Sequence, residues 1–124
     1  MYTSSHLDYF GKKLMEMVRD NVIYKFDKIC MDEIKSEEAL KLAEKINSFS
    51  SDEREKLRSI VINSIDTSMV NFLTMLQECE DSIALNITIN TETQNLVSIS
   101  DGLGGELFGE DGLMKRFSEY GESD

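Results

Sequence analysis

Apolar residues recur at steps of three and four along the first third of the chain, where Leu7, Phe10, Leu14, Val18, Val22, Phe26, Ile29, Cys30 and Ile34 fall on one stripe. That spacing follows one side of a helix. Ser4 and Ser5 offer its cap, and Asp8 stands three residues after Ser5 as in a capping box. A rod carrying the whole stripe would run about 45 Å at about 1.5 Å per residue, so a bend is expected near Asp20-Asn21.

Ser36 caps a second, shorter helix with an acidic first turn, Glu37-Glu38, suited to the positive helix end. Its apolar side is Ala39, Leu40, Leu42, Ala43, Ile46 and Phe49, and it should end near Asn47. Ser50 with Glu53 forms a second capping box that opens a third helix, from about Ser51 to Glu80. The core face expected for it is Leu57, Ile60, Val61, Ser64, Ile65, Ser68, Phe72, Leu76 and Cys79, widened by Ile62, Met69 and Leu73.

At Ser82 the period falls to two. Ile83, Leu85, Ile87 and Ile89 alternate with smaller or polar residues, and Leu96 to Ser100 reads as a second strand after the link Thr91 to Asn95. The tail from Ser100 to Phe117 holds two glycine-rich turns and closes with a short helix over Leu113 to Tyr120. It resembles segments of small bacterial proteins, a likeness that carries no activity. Together these elements predict one α+β domain over residues 1–124: three main helices, two of them long, one antiparallel hairpin, and a turn-rich C-terminal segment ending in a short helix.

Composition sharpens this picture. Proline is absent, so nothing obliges a helix to break. No apolar run approaches the roughly 20 residues of a bilayer span, and MYTSSHLDYF lacks the features of a signal peptide. A cytoplasmic protein is expected, with Cys30 and Cys79 as free thiols buried on helical stripes.

Charge narrows the partner. The net charge of −11 arises entirely beyond Lys35: residues 1–35 carry six acids and six bases, residues 36–82 ten and five, and residues 83–124 eight and two. Such a field repels phosphate and anionic lipid and attracts cations, so neither nucleic acid nor a membrane is expected as a partner. The basic residues of the first helix come without an aromatic platform.

Candidate chemistry is sparse. Gly102-Leu103-Gly104-Gly105 follows a strand as phosphate loops do, but Leu107 holds the last glycine place of the dinucleotide fingerprint and Glu106, Glu110 and Asp111 would repel a phosphate. The same acids with Asp101 are oxygen ligands in type, yet Leu103 and Gly105 occupy the ligand positions of a calcium loop starting at Asp101. His6, the lone histidine, sits too near the terminus to serve a nucleophile. Asp66 falls among apolar neighbours in the third helix and needs a structural partner such as a lysine, an arginine, a tyrosine or a backbone amide.

Glu37-Glu38 followed by Glu78-Cys79-Glu80-Asp81 resembles the paired magnesium motifs of all-helical nucleotide pyrophosphohydrolases, departing where Lys41 replaces a third acid. That likeness implies a magnesium enzyme as the alternative function, and a homo-oligomer joined through the hairpin edge is another. The expectation that charge and missing catalytic groups favour is a binding module, immunity or antitoxin-like, for a basic protein partner. It has no cofactor, and its contact residues are Glu78, Glu80, Asp81, Asp101, Glu106, Glu110 and Asp111.

Overall fold

The structure, a computed structural model, describes residues 5–122. Its order is α1 (Ser5–Leu14), a π segment (Met15–Arg19), α2 (Asp20–Cys30), α3 (Glu37–Asn47), α4 (Ser51–Glu78), β1 (Asn86–Ile89), β2 (Glu92–Asn95), a 3₁₀ turn (Leu103–Leu107) and α5 (Leu113–Phe117). Helices and one antiparallel hairpin make this an α+β fold. Ser36 Oγ accepts from Ala39 N–H at 3.2 Å, and Ser50 and Glu53 exchange both bonds of a capping box, so α3 and α4 start where their sequences place them. Ser4 lies outside the described residues.

The first stripe is rotated from its expected phase. Leu14, Arg19 and Asp20 keep right-handed helical dihedrals, so α1, the π segment and α2 form one continuous rod. Its buried residues are His6, Leu7, Gly11, Met15, Arg19, Asp20, Ile23 and Ile29, while Val18 and Val22 are exposed. The wider π turn keeps Met15, Arg19 and Ile23 in line at steps of four, where an α-helix would let them drift apart. A Cβ at Gly11 would overlap the Leu113 side chain, so this glycine lets α5 lie directly on α1.

α4 is rotated likewise. It buries Ile62, Asp66, Met69, Leu73 and Leu76, and leaves Ile60, Ser64, Ser68 and Phe72 exposed. Of the described helices it alone is long and apolar enough to cross a membrane by length and composition, with a mean hydropathy of 1.2 over an 18-residue window that is 28% buried. The apolar residues of that window are not contiguous in sequence, which is why no run announces them.

The hairpin turns two residues earlier than the apolar alternation suggests. Asn90 takes φ 58°, a conformation asparagine tolerates, and the register Asn86↔Asn95 to Ile89↔Glu92 puts the second strand on the polar stretch. Residues 96–99 form turns instead, with Leu96 fully buried. Leu85 and Ile87 pack against the main core, whereas Ile83 is exposed.

That core joins Leu7 and Met15 of the first rod to Met69, Leu73 and Leu76 of α4, and to Leu96, Leu103, Leu107, Leu113 and Met114 of the C-terminal segment. A smaller cluster of Ile29, Ala39, Ala43 and Ile46 fastens α3 to α2. Cys30 is half-buried beside this second cluster, and Cys79 is half-buried at the end of α4, so neither thiol is fully enclosed as their stripes suggest. Burial and the nearby Asp27 carboxylate still push the Cys30 thiol above its usual value.

Candidate functional site

The acidic contact residues are positioned by the way the C-terminal segment docks on α4. Leu103 N–H donates to Gln77 Oε1 at 2.9 Å, and the side chains of Leu103 and Leu107 are fully buried in the main core. The 3₁₀ turn between them therefore lies along the last turns of α4, with Asp101 just before it and Glu106 within it. Cys79 carbonyl accepts from Ser82 and Ile83 N–H, closing α4 in a tight turn that leaves Glu80 and Asp81 exposed.

Within this group Glu106 is half-buried. Burial, and next the charge of Asp101, hold its carboxyl above the usual carboxylate range, while Arg116 acts in the opposite sense. Arg116 itself is engaged by Asp8 at 2.9 Å.

Glu110 and Asp111 belong to a different neighbourhood. Gly109, at φ 91°, and Gly112, where a Cβ would overlap the Phe108 carbonyl, turn the chain sharply between the 3₁₀ turn and α5. Glu110 then pairs with Lys115 at 2.8 Å, and that hydrogen bond lowers its pKa. The seven acids thus lie in three places: Glu78, Glu80 and Asp81 at the end of α4, Asp101 and Glu106 at the 3₁₀ turn, where Asp8 and Arg116 also act on Glu106, and Glu110 with Asp111 beside basic α5.

Asp66 has the kind of partner its surroundings demand. Arg19 Nε and Nη2 approach its two oxygens at 2.7 and 3.3 Å, and both residues are buried. The same guanidinium donates to Ser118 Oγ and to the Gly121 carbonyl, while Asp20 accepts from Ser118 Oγ at 2.6 Å and from Glu119 N–H at 2.9 Å. This network ties residues 118–121 to the helical rod. His6, expected near a loose terminus, is buried, with Nε2 3.0 Å from the Glu92 carbonyl oxygen of the hairpin.

Among the described residues no three of His, Cys, Asp and Glu are gathered to hold a metal ion. Glu37 and Glu38 begin α3, which packs on the end of α2, and Glu37 faces Lys41. Glu78 lies at the far end of α4, about 40 Å along a helix of 28 residues.

Sequence reasoning missed a second surface. Val18 and Val22 of the rod face Ile60, Ser64, Ser68 and Phe72 of α4 across an open groove of about 600 Å³. The signal was present: from Ser59 to Gln77 the only charged residue is Asp66, and it is buried on the opposite side. Comparison with protein-family models, with curated proteins and with solved structures finds no match.

Proposed function

We propose that this chain is an acidic protein-binding module of bacterial type, acting in the cytoplasm, that neutralises or regulates a basic protein as an immunity or antitoxin-like inhibitor does. The observation supporting this reading is the net charge of −11 together with the docking of Leu103, which stands between Asp101 and Glu106, on Gln77, next to Glu78, Glu80 and Asp81 in the chain. Acids gathered on one side focus a negative potential that steers and orients a cationic surface. Glu106, whose charge is opposed by burial and by Asp101, is the member that gains most from a cation brought close. A module of this kind needs only a preformed surface.

Capture from the extract of the source cell tests the reading, with the native chain and E80Q/D101N/E106Q as paired baits. A basic protein retained by the first and lost from the second is expected. Two baits that retain the same proteins would contradict the proposal.

A further inference from the structure

We infer that the apolar groove between the first helical rod and α4 is a homodimer interface, covered in solution by a second copy of this chain. The inference shares Glu78 with the proposed acidic partner-binding surface and is otherwise independent of it. Ile60 is 61% exposed, Val18 44% and Phe72 41%, and they line one continuous face with Val22, Ser64 and Ser68. Contiguous apolar exposure of this kind marks an interaction surface.

Three observations select a second copy as the occupant. The first is charge. α4 presents no exposed charged residue between Ser59 and Gln77, although the chain carries a net charge of −11. Two strongly acidic copies can therefore meet here without bringing like charges together, whereas a basic partner finds nothing on this face to select it.

The second is complementarity at the ends. Lys25 stands three residues beyond Val22 and Lys56 four before Ile60, while Glu78 stands three beyond Met75 at the opposite end. Among the described residues none of these three has an ion-pair partner. In an antiparallel two-fold pairing the lysine end of one copy meets the Glu78 end of the other, at both ends at once.

The third is the polarity of the face. The hydroxyls on its floor are already engaged: Ser64 Oγ donates to Ile60 carbonyl and Ser68 Oγ to Ser64 carbonyl, each at 2.8 Å. Covering them strands no donor, and their small size leaves room for facing side chains.

Sedimentation equilibrium of the full chain tests the inference. The native protein should have twice the chain mass, little altered by salt, and Ile60→Glu should have the monomer mass with an unchanged circular dichroism spectrum, since Ile60 is mostly exposed. K25E/K56E should weaken the dimer and addition of Glu78→Lys should restore it. A native chain that stays monomeric at the highest concentration it tolerates would overturn the inference. So would a dimer indifferent to Ile60→Glu, which would use another surface such as the hairpin edge, or a monomer that binds neutral phosphatidylcholine vesicles through Ile60. Because E80Q/D101N/E106Q leaves this face untouched, its mass should match the native dimer whatever becomes of the acidic surface.

Discussion

Arg19 and Asp66, 47 residues apart in sequence, close a two-bond ion pair between the first helical rod and α4, with Arg19 only 1% and Asp66 6% exposed. The pair lies between the main core and the smaller cluster at α3, next to buried Ile23 and Ile62. Removing one member leaves the charge of the other buried without its partner. Asp66→Ala should therefore lower the unfolding free energy by about 3–5 kcal/mol, while R19M/D66L should recover a large part of that loss, because apolar replacements leave no uncompensated charge. Urea denaturation of the two variants checks this. Near-native stability for Asp66→Ala would contradict the pairing.

The contact of α1 with α5 is set by a missing side chain. Because a Cβ at Gly11 would overlap Leu113, which is itself fully buried, Gly11→Ala should cost about 1–3 kcal/mol through overpacking. In the Leu113→Ala background the same change should cost much less, since the overlapping methyl groups are gone. Additive losses in this double-mutant cycle would mean the two residues do not touch.

Glu106 opposes folding at neutral pH. Its carboxyl is held above the usual range by burial first and by Asp101 second, so the folded chain binds this proton more tightly than the unfolded chain. The cost of its charge is fully present above the folded pKa, fades as pH falls through it, and is gone below the unfolded value. Glu106→Gln should accordingly raise the melting temperature at pH 7, and the gain should shrink on acidification through the carboxylate range. A gain that is constant with pH would contradict the assignment.

The α4 capping box carries the opposite sign. Hydrogen bonds from Ser50 hold the Glu53 carboxyl below its ordinary value, so its support for folding is present at neutral pH and is lost as pH falls through the lowered folded pKa. Ser50→Ala should cost about 1 kcal/mol, and Glu53→Gln, which removes the titrating carboxyl that accepts from Ser50 N–H, should show a weaker loss of stability on acidification than the native protein. An unchanged acid dependence would contradict the capping role.

The elements that local chemistry determines were legible in the sequence. Ser36 and the Ser50–Glu53 box fix two helix starts within a few residues, and the isoleucine alternation locates β1. The phase of each long helix was not legible. Apolar residues lie on two sides of α4, Ile62, Met69 and Leu73 on one and Ile60 and Phe72 on another, and period alone cannot say which side meets the core. Long-range contacts make the choice, among them the packing of α4 on the C-terminal segment and the bond of Arg19 to Asp66, and nothing local in Met15–Arg19 announces the π turn that carries Arg19. The second strand was misplaced for a related reason: Glu92 to Asn95 looks like a polar link, and its pairing is fixed by the two-residue turn at Asn90 rather than by apolar content.

The candidate site was legible as composition and not as a surface. All seven acids stand out in the sequence, but which of them share a surface depends on Leu103 docking beside Gln77 and on Lys115 drawing Glu110 away. The functional proposal rests on Glu78, Glu80 and Asp81 at the end of α4 and on Asp101 and Glu106 at the 3₁₀ turn that docks on Gln77.

Association kinetics measure that surface most directly. The basic protein retained by the native chain should bind it with a rate constant that falls about tenfold or more between low and physiological-to-high salt, because steering by exposed charge is screened beyond about 8 Å. E80Q/D101N/E106Q should associate more slowly and respond less to salt, with its dissociation rate changed to a smaller degree. Association rates that are the same for both chains and flat with salt would contradict the account.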